Sequence, residues 1–210
     1  MTKKRAFAVF SAIIVLGLLL FFLVSVGYYP IAFVSGRVIF AREFLRNYQA
    51  AALYYRNLVK TYEPNLPQEK TLTSFDLQVS VLNQLVENRL VDQALKEEVQ
   101  SDLEGLVDAR ISKLQSGENL TKAVQALYGL SYKDFEDTVL IPQAKLDILS
   151  GRLFLKGEEI EKWLVEAKRV SRVIIFSRKF TWDGSEVKAN DPSIKTQGHG
   201  TSSEPQSNSE

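Results

Sequence analysis

The apolar residues between Leu77 and Lys96 recur at steps of three and four. They are Val79, Leu82, Leu85, Val86, Leu90 and Ala94. Residues at this spacing lie on one face of an α-helix, so the pattern predicts an amphipathic helix whose apolar face packs in a core. Thr73 and Ser74 can cap its first turn, and no Gly or Pro interrupts the run before Gly105. The core stripe is Leu82, Leu85, Val86 and Leu90. Such a stripe specifies burial and no chemistry.

Similar patterns predict the elements on either side. Two β-prone pieces surround Ser35 and Gly36 and indicate a small hairpin, and a second helix is predicted from Phe40 to Tyr62. Several shorter helices follow, with Pro142 either kinking one of them or marking a break. Short connections between helices favour antiparallel neighbours in a compact bundle. The chain turns β-prone again at Val170–Phe176.

Charge is separated from apolar residues near the start of the chain. Three basic residues lie within the first five, and no charged residue occurs from Ala6 to Gly36. A membrane span needs about 20 apolar residues, and a secretory signal usually about 7 to 15. We therefore expect a transmembrane anchor over 6–28, a cytoplasmic basic segment over 1–5 and an extracytoplasmic remainder. Tyr28 and Tyr29 are expected at the far membrane–water interface, where aromatic side chains are enriched. A signal cleaved near Ser25-Val26-Gly27 is the alternative, and a buried core helix is a remote third.

The expected fold class is mainly α, with one N-terminal transmembrane helix. A helical domain over 29–182 with a small β-hairpin or strand element follows that helix. A disordered tail is predicted over 183–210, because Val187 and Ile194 are its only large aliphatic residues.

Composition removes several classes of function. The formal net charge is +1, and without Lys3, Lys4 and Arg5 the chain has 23 basic against 25 acidic side chains. This balance favours no nucleic-acid partner. The chain has no Cys, so disulfides, thiolate metal sites and cysteine nucleophiles are excluded. No glycine-rich phosphate loop occurs, and no cofactor is expected.

Four tyrosines in the second predicted helix are candidates for contact with a protein client. They are Tyr48, Tyr54, Tyr55 and Tyr62. Tyrosine has an apolar ring and a polar tip and is common at protein-binding surfaces. Simple packing of each ring onto the long helix is the alternative interpretation.

Three short pieces together give the chain from Ile31 to about Leu164 a resemblance to a known family. The pieces are Phe33-Val-Ser-Gly36 followed by Val38, Ile39 and Arg42-Glu43-Phe44, then Val81-Leu-Asn-Gln-Leu-Val-Glu-Asn-Arg-Leu90, then Leu127-Tyr-Gly-Leu-Ser131 with Phe135. They are similar to the "VNG…I…EF", "VLDQLIDEKL" and "YGLS…F" patterns of the N-terminal domain shared by SurA-type periplasmic chaperones and membrane-anchored foldases of the PrsA and PpiD kind. The resemblance implies a helical chaperone domain.

In that family a parvulin peptidyl-prolyl isomerase domain usually follows, with a histidine in an "HIL"-like first strand. Here Val173 stands at the histidine position, and the only histidine is His199, between two glycines. Of the 210 residues, 35 follow Ile175, and folds of about 40 residues usually need disulfides or metals. The isomerase domain is therefore expected to be missing. The acidic pairs Glu97-Glu98 and Glu158-Glu159 are expected to be solvated rather than catalytic.

These observations predict a membrane-anchored, extracytoplasmic, chaperone-like protein that is not an enzyme. It would hold unfolded or newly exported polypeptides without ATP, with the lipid bilayer contacted through the N-terminal helix. One alternative is a non-catalytic assembly or scaffold subunit that binds a single envelope partner. A second alternative is a degenerate peptidyl-prolyl isomerase.

Overall fold

The apolar stripe lies on a long helix, α3, which spans Ser74–Val99. The computed structural model describes residues 3–62, 72–99, 102–113 and 118–190. Leu82 and Val86 are fully enclosed, and Leu85 and Leu90 are 2% and 4% exposed. The start of α3 is a capping box, in which Thr73 Oγ1 accepts from the Asp76 amide at 3.1 Å and Asp76 Oδ2 accepts from the Thr73 amide at 2.9 Å.

Seven further helices are described. They are α1 (Lys3–Ser25), α2 (Ala41–Tyr62), α4 (Leu103–Ser112), α5 (Glu118–Tyr128), α6 (Tyr132–Phe135), α7 (Ile141–Leu155) and α8 (Ile160–Val170). Helices α2, α7 and α8 all pack on α3. The buried residues of α3 lie in two clusters, one shared with α2 and the strands and the other shared with α7.

A small antiparallel sheet covers one side of α3. Strands β1 (Pro30–Val34) and β2 (Arg37–Phe40) form a hairpin, and β1 also pairs with β3 (Val173–Ile175), which gives the order β2-β1-β3. Ser35 and Gly36 have φ values of 44° and 91°. Positive φ at both central residues is the geometry of a type I′ turn, which matches the twist of the paired strands. The predicted combination of a mainly helical fold with a small hairpin is confirmed.

The break or kink predicted at Pro142 is a change of helix type. A π-helical turn over Glu136–Leu140 joins α6 to α7 without a gap. Pro142 has no N–H to donate to the carbonyl of Thr138, so the regular α-helical ladder cannot form there. The Ile141 amide bonds instead to the Glu136 carbonyl, five residues back.

The prediction of disorder from residue 183 is wrong for residues 183–190. Strands β4 (Phe180–Trp182) and β5 (Val187–Ala189) pair antiparallel, and Val187 is 1% exposed. Asn83 of α3 holds β5 at both backbone groups of Val187, donating to its carbonyl at 3.1 Å and accepting from its amide at 2.7 Å. The low aliphatic content was misleading, because one buried Val and two backbone bonds to α3 fix the strand. The remainder of the predicted tail, 191–210 with His199, lies outside the described residues.

The turn between β4 and β5 is held by Asp183. Its carboxylate accepts from the amides of Ser185 and Glu186, both at 2.9 Å, and from the Lys188 ammonium at 2.6 Å. The hydrogen bond from Lys188, followed by those backbone bonds, holds the pKa of the Asp183 carboxyl far below its ordinary value. Gly184 takes a φ of 102°. Asp followed by Gly is a strong turn signal, so this hairpin had a local signature in the sequence.

Replacing Asn83 with Leu is expected to loosen the β4–β5 hairpin while the rest of the protein stays folded. Two backbone groups of Val187 lose their partner, and an unsatisfied buried polar group costs about 1–3 kcal/mol. Hydrogen exchange of the Val187 amide should accelerate, and the melting temperature should fall. Asn83→Asp is the matched variant, because it keeps the acceptor for the Val187 amide and loses the donor. Unchanged protection of Val187 in Asn83→Leu would contradict this assignment.

The predicted membrane anchor over 6–28, with the single-pass location that depends on it, is corrected. Of the helices in the described part of the chain, none has the length and apolar character that a membrane span requires. Tyr28, predicted at a membrane interface, instead accepts a hydrogen bond from Arg42 Nη1 at 2.8 Å.

Candidate functional site

A crevice with aromatic walls lies between the start of α2, strand β1 and the segment that joins β3 to β4. Its volume is about 480 Å³. We name it the aromatic crevice; it is lined by Tyr29, Pro30, Ile31, Ala41, Phe44, Leu45, Tyr48, Gln78, Phe176, Ser177, Lys179 and Phe180. Pockets of about 300–1,000 Å³ that are mostly apolar, with a few polar groups, are the usual form of a ligand site.

The floor of the aromatic crevice is rigid because its rings pack on one another. Phe44 of α2 and Phe180 of β4 are mostly buried, with ring centroids 6.1 Å apart and planes at 67°. Phe75 of α3 stacks on Phe180 at 5.4 Å. Edge-to-face and stacked aromatic pairs add stability beyond their burial. Three separate elements of the fold therefore fix the shape of the floor.

The rim presents large apolar side chains to solvent. Tyr29, Leu45 and Phe176 are 43%, 45% and 56% exposed. Phe176 is held in place through its backbone, since its amide donates to the Ile31 carbonyl at 2.9 Å. Exposed apolar side chains beside an apolar crevice form a surface of the kind that binds other proteins.

A few polar groups lie among these apolar side chains. Tyr48 and Ser74 share a hydrogen bond of 2.6 Å between their hydroxyl oxygens, which fixes the Tyr48 ring in the wall. Lys179 makes no ion pair with any residue that the structure describes. The crevice therefore combines apolar walls with one cation at its edge.

The four candidate tyrosines are not brought together. Tyr48 lines the aromatic crevice, whereas Tyr54 stacks on Tyr128 of α5 at 4.8 Å with nearly parallel rings. Burial, with a smaller contribution from Tyr54, raises the pKa of the Tyr128 phenol above its ordinary value. Tyr55 accepts a hydrogen bond from the Leu72 amide at 2.9 Å, and Tyr62 is 78% exposed at the end of α2. Client contact by these four residues stays a prediction, and only Tyr48 lies in the crevice.

Sequence reasoning missed most of the crevice. Tyr29 was predicted at a membrane interface, and Phe180 was not singled out. Tyr48 was among the four candidate tyrosines, whereas Phe44, four residues earlier on α2, was noted only as part of a family-like sequence piece. Phe176 and Phe180 reach the same place because β3 pairs with β1 and β4 packs beside it. The proximity of these residues depends on pairing between strands that are over a hundred residues apart along the chain. Local sequence patterns do not indicate such pairing.

Other chemistry has little support in the described residues. Over the described ranges, no group of three or more His, Cys, Asp or Glu side chains is placed to hold a metal ion. One residue of each acidic pair forms a surface ion pair. Glu98 pairs with Lys156, and Glu159 lies 3.0 Å from the Lys162 ammonium. This arrangement agrees with the solvated role expected for them.

Comparisons of the chain with protein-family models, curated proteins and solved structures found no match. The resemblance to the SurA-type N-terminal domain therefore rests on the three sequence pieces alone and stays a prediction.

Proposed function

We propose that this protein binds apolar segments of unfolded polypeptides in the aromatic crevice and holds them reversibly, as a chaperone that needs no ATP. The observation that carries the proposal is the exposed apolar rim of Tyr29, Leu45 and Phe176 above a fixed floor of Phe44 and Phe180. A folded protein that keeps such a surface open to solvent forgoes its burial, which favours a role in binding.

The size of the crevice favours weak, reversible binding. A volume of about 480 Å³ suits a short stretch of chain with one or two large side chains. Each fully buried Leu or Phe side chain contributes about 1.5–3 kcal/mol, and ordering of the client opposes this. Affinities of order micromolar to millimolar follow. Such affinities let a client leave and fold.

The walls of the crevice select for apolar side chains and not for one particular client sequence. Aromatic and aliphatic side chains accept any apolar segment, because the hydrophobic effect is not directional. Lys179 adds a positive charge at the edge, so segments with a flanking Asp or Glu should be preferred. The sequence has no phosphate-binding loop, which is consistent with holding that consumes no nucleotide.

The test of this function is an aggregation assay beside a refolding assay, both with the full chain. The protein is expected to suppress aggregation of two unrelated unfolded proteins, heat-denatured citrate synthase and reduced α-lactalbumin, at near-stoichiometric amounts and without ATP. In a proline-limited refolding reaction the rate should stay at its uncatalysed value, because the family's usual histidine position is occupied by Val173.

Two outcomes would contradict the proposal. Acceleration of the proline-limited reaction would instead indicate the degenerate isomerase. Failure to protect either client, together with tight co-purification of one fixed partner, would indicate the assembly subunit.

A further inference from the structure

A groove runs between α3 and α8, and it shares no lining residue with the aromatic crevice. Its volume is about 250 Å³. We name it the interhelical groove; it is lined by Leu90, Gln93, Ala94, Glu97, Trp163, Glu166, Ala167, Val170 and Ser171.

Each of the two helices supplies one of its faces to the groove. The lining positions are 90, 93, 94 and 97 on α3, and 163, 166, 167 and 170 on α8. Both sets have the spacing of a single stripe along a helix. The groove therefore follows the two helices for about two turns, or roughly 10 Å. A third helix can lie in such a groove, as neighbouring helices do in a bundle.

The floor of the interhelical groove is apolar and is not filled by the chain itself. Leu90 is 4% exposed, and Trp163 packs against the cluster that contains it. Ala94 and Ala167 have one-carbon side chains, which leave the space between the helices open. Val170, at the edge, is 71% exposed. Burial of these apolar surfaces would favour binding of a partner.

The polar side chains at the edges of the groove give it a negative charge. Glu97 of α3 and Glu166 of α8 are both exposed, and no Lys or Arg lines the groove. Glu97 accepts a hydrogen bond from Gln93 at 3.2 Å and forms no ion pair with any residue that the structure describes. Glu166 is paired with Arg169 of its own helix at 2.7 Å, with side chains 55% and 73% exposed. Because such an exposed pair contributes little stability, a cation of a partner can share the carboxylate.

We propose that the interhelical groove binds an amphipathic helix of a partner protein that carries Lys or Arg beside its apolar stripe. The length of two turns sets the number of apolar anchors at about two, since residues three or four apart on the partner helix point to the same side. The two glutamates set the sign of the flanking charges. Since the groove and the aromatic crevice are separate, the protein can hold a partner and a client at the same time.

The test uses synthetic peptides of about 18 residues, a length at which an isolated helix can form. The first peptide has Leu at the spacing of one helical stripe, Lys on both flanks and Ala elsewhere. The second replaces every Lys with Glu, which reverses the charge. The third replaces two central Ala with Pro and cannot form a continuous helix.

Binding to the full-length protein is followed by NMR of the tryptophan indole N–H groups. The chain has two tryptophans, and of these only Trp163 lines the groove, so Trp182 is an internal reference. The Lys peptide should shift the Trp163 signal saturably. The Glu peptide should bind at least about fivefold more weakly, and the Pro peptide about tenfold more weakly.

Two pairs of variants locate the site. Val170→Lys places a cation in the groove and should weaken binding of the Lys peptide about tenfold. Val165→Lys is its control, because Val165 is 65% exposed on the same helix and lies outside the groove. Glu97→Lys should remove the preference for the Lys peptide over the Glu peptide. Glu161→Lys, at an exposed position of α8 outside the groove, should retain that preference.

Several results would overturn the proposal. They are equal affinities of the Lys and Glu peptides, equal affinities of the Lys and Pro peptides, and unaltered binding in Val170→Lys. Self-association of the full chain that Val170→Lys abolishes, without binding of any peptide, would assign the groove to a second copy and would also overturn it. None of these measurements involves an unfolded client, so failure of this proposal is distinguishable from failure of the chaperone function.

Discussion

Replacing Leu82 with Asp is expected to unfold the protein. Leu82 is 0% exposed and lies in the cluster that joins β1, β2, α2, α3 and the β4–β5 hairpin. That cluster is made of apolar side chains, and burying an unpaired charge costs several kcal/mol. Total stabilities of about 5–15 kcal/mol leave little margin for such a loss. Leu82→Ala should retain the fold and lose about 2–5 kcal/mol.

The control for this prediction is Gln84→Asp. Gln84 lies two residues away on the same helix and is exposed, so the same new charge should leave the melting temperature almost unchanged. Thermal unfolding followed by circular dichroism compares the three variants with the unaltered protein. A wild-type melting temperature for Leu82→Asp would mean that α3 does not carry the core.

The elements that could be predicted from the sequence are those fixed by local patterns. The stripe of α3 recurs at helical spacing and is interrupted by no Gly or Pro, so existence and orientation of the helix both follow from it. The turn at Ser35 and Gly36 is likewise local, because a two-residue turn between β-prone pieces favours a hairpin.

The elements that could not be predicted depend on distant partners. Asn83 has polar character and lies beside the stripe, and nothing local indicates that it binds the backbone of Val187, 104 residues away. The disorder prediction failed at residues 183–190 because it rested on a count of aliphatic residues, which includes neither these bonds to Asn83 nor the local turn signal of Asp183 and Gly184. The membrane-anchor prediction rested on the length of the apolar run near the start of the chain. It is corrected because no described helix meets the requirements of a membrane span.

The candidate site illustrates the same limit. Proximity in sequence suggested that Tyr48, Tyr54, Tyr55 and Tyr62 act together, yet an α-helix distributes neighbouring side chains over several faces. Tyr54 consequently faces α5, while Tyr48 faces the crevice. A surface formed by three distant segments becomes visible only when the strand pairing is known.

Charging the rim of the aromatic crevice should greatly weaken the binding of clients and leave the fold intact. The double variant Leu45→Glu/Phe176→Glu places two carboxylates where an apolar segment would be buried. Both residues are about half exposed, so each substitution should change stability by only about 0.5 kcal/mol. Losing burial of even one client side chain, about 1.5–3 kcal/mol, corresponds to roughly a ten- to hundredfold weaker affinity.

The matched control is Phe154→Glu/Leu155→Glu at the end of α7. It removes the same two residue types and adds the same charges. Phe154 and Leu155 are 79% and 85% exposed and lie outside the crevice. A general effect of negative charge on client binding would therefore appear equally in both double variants.

The most direct measurement is the affinity of fluorescently labelled, reduced α-lactalbumin for the full-length protein and the two double variants, by fluorescence anisotropy. Binding through the aromatic crevice predicts that Leu45→Glu/Phe176→Glu binds at least about tenfold more weakly, while Phe154→Glu/Leu155→Glu binds like the unaltered protein. Equal affinities for all three proteins, or a loss confined to the α7 variant, would contradict the crevice as the site where clients are held.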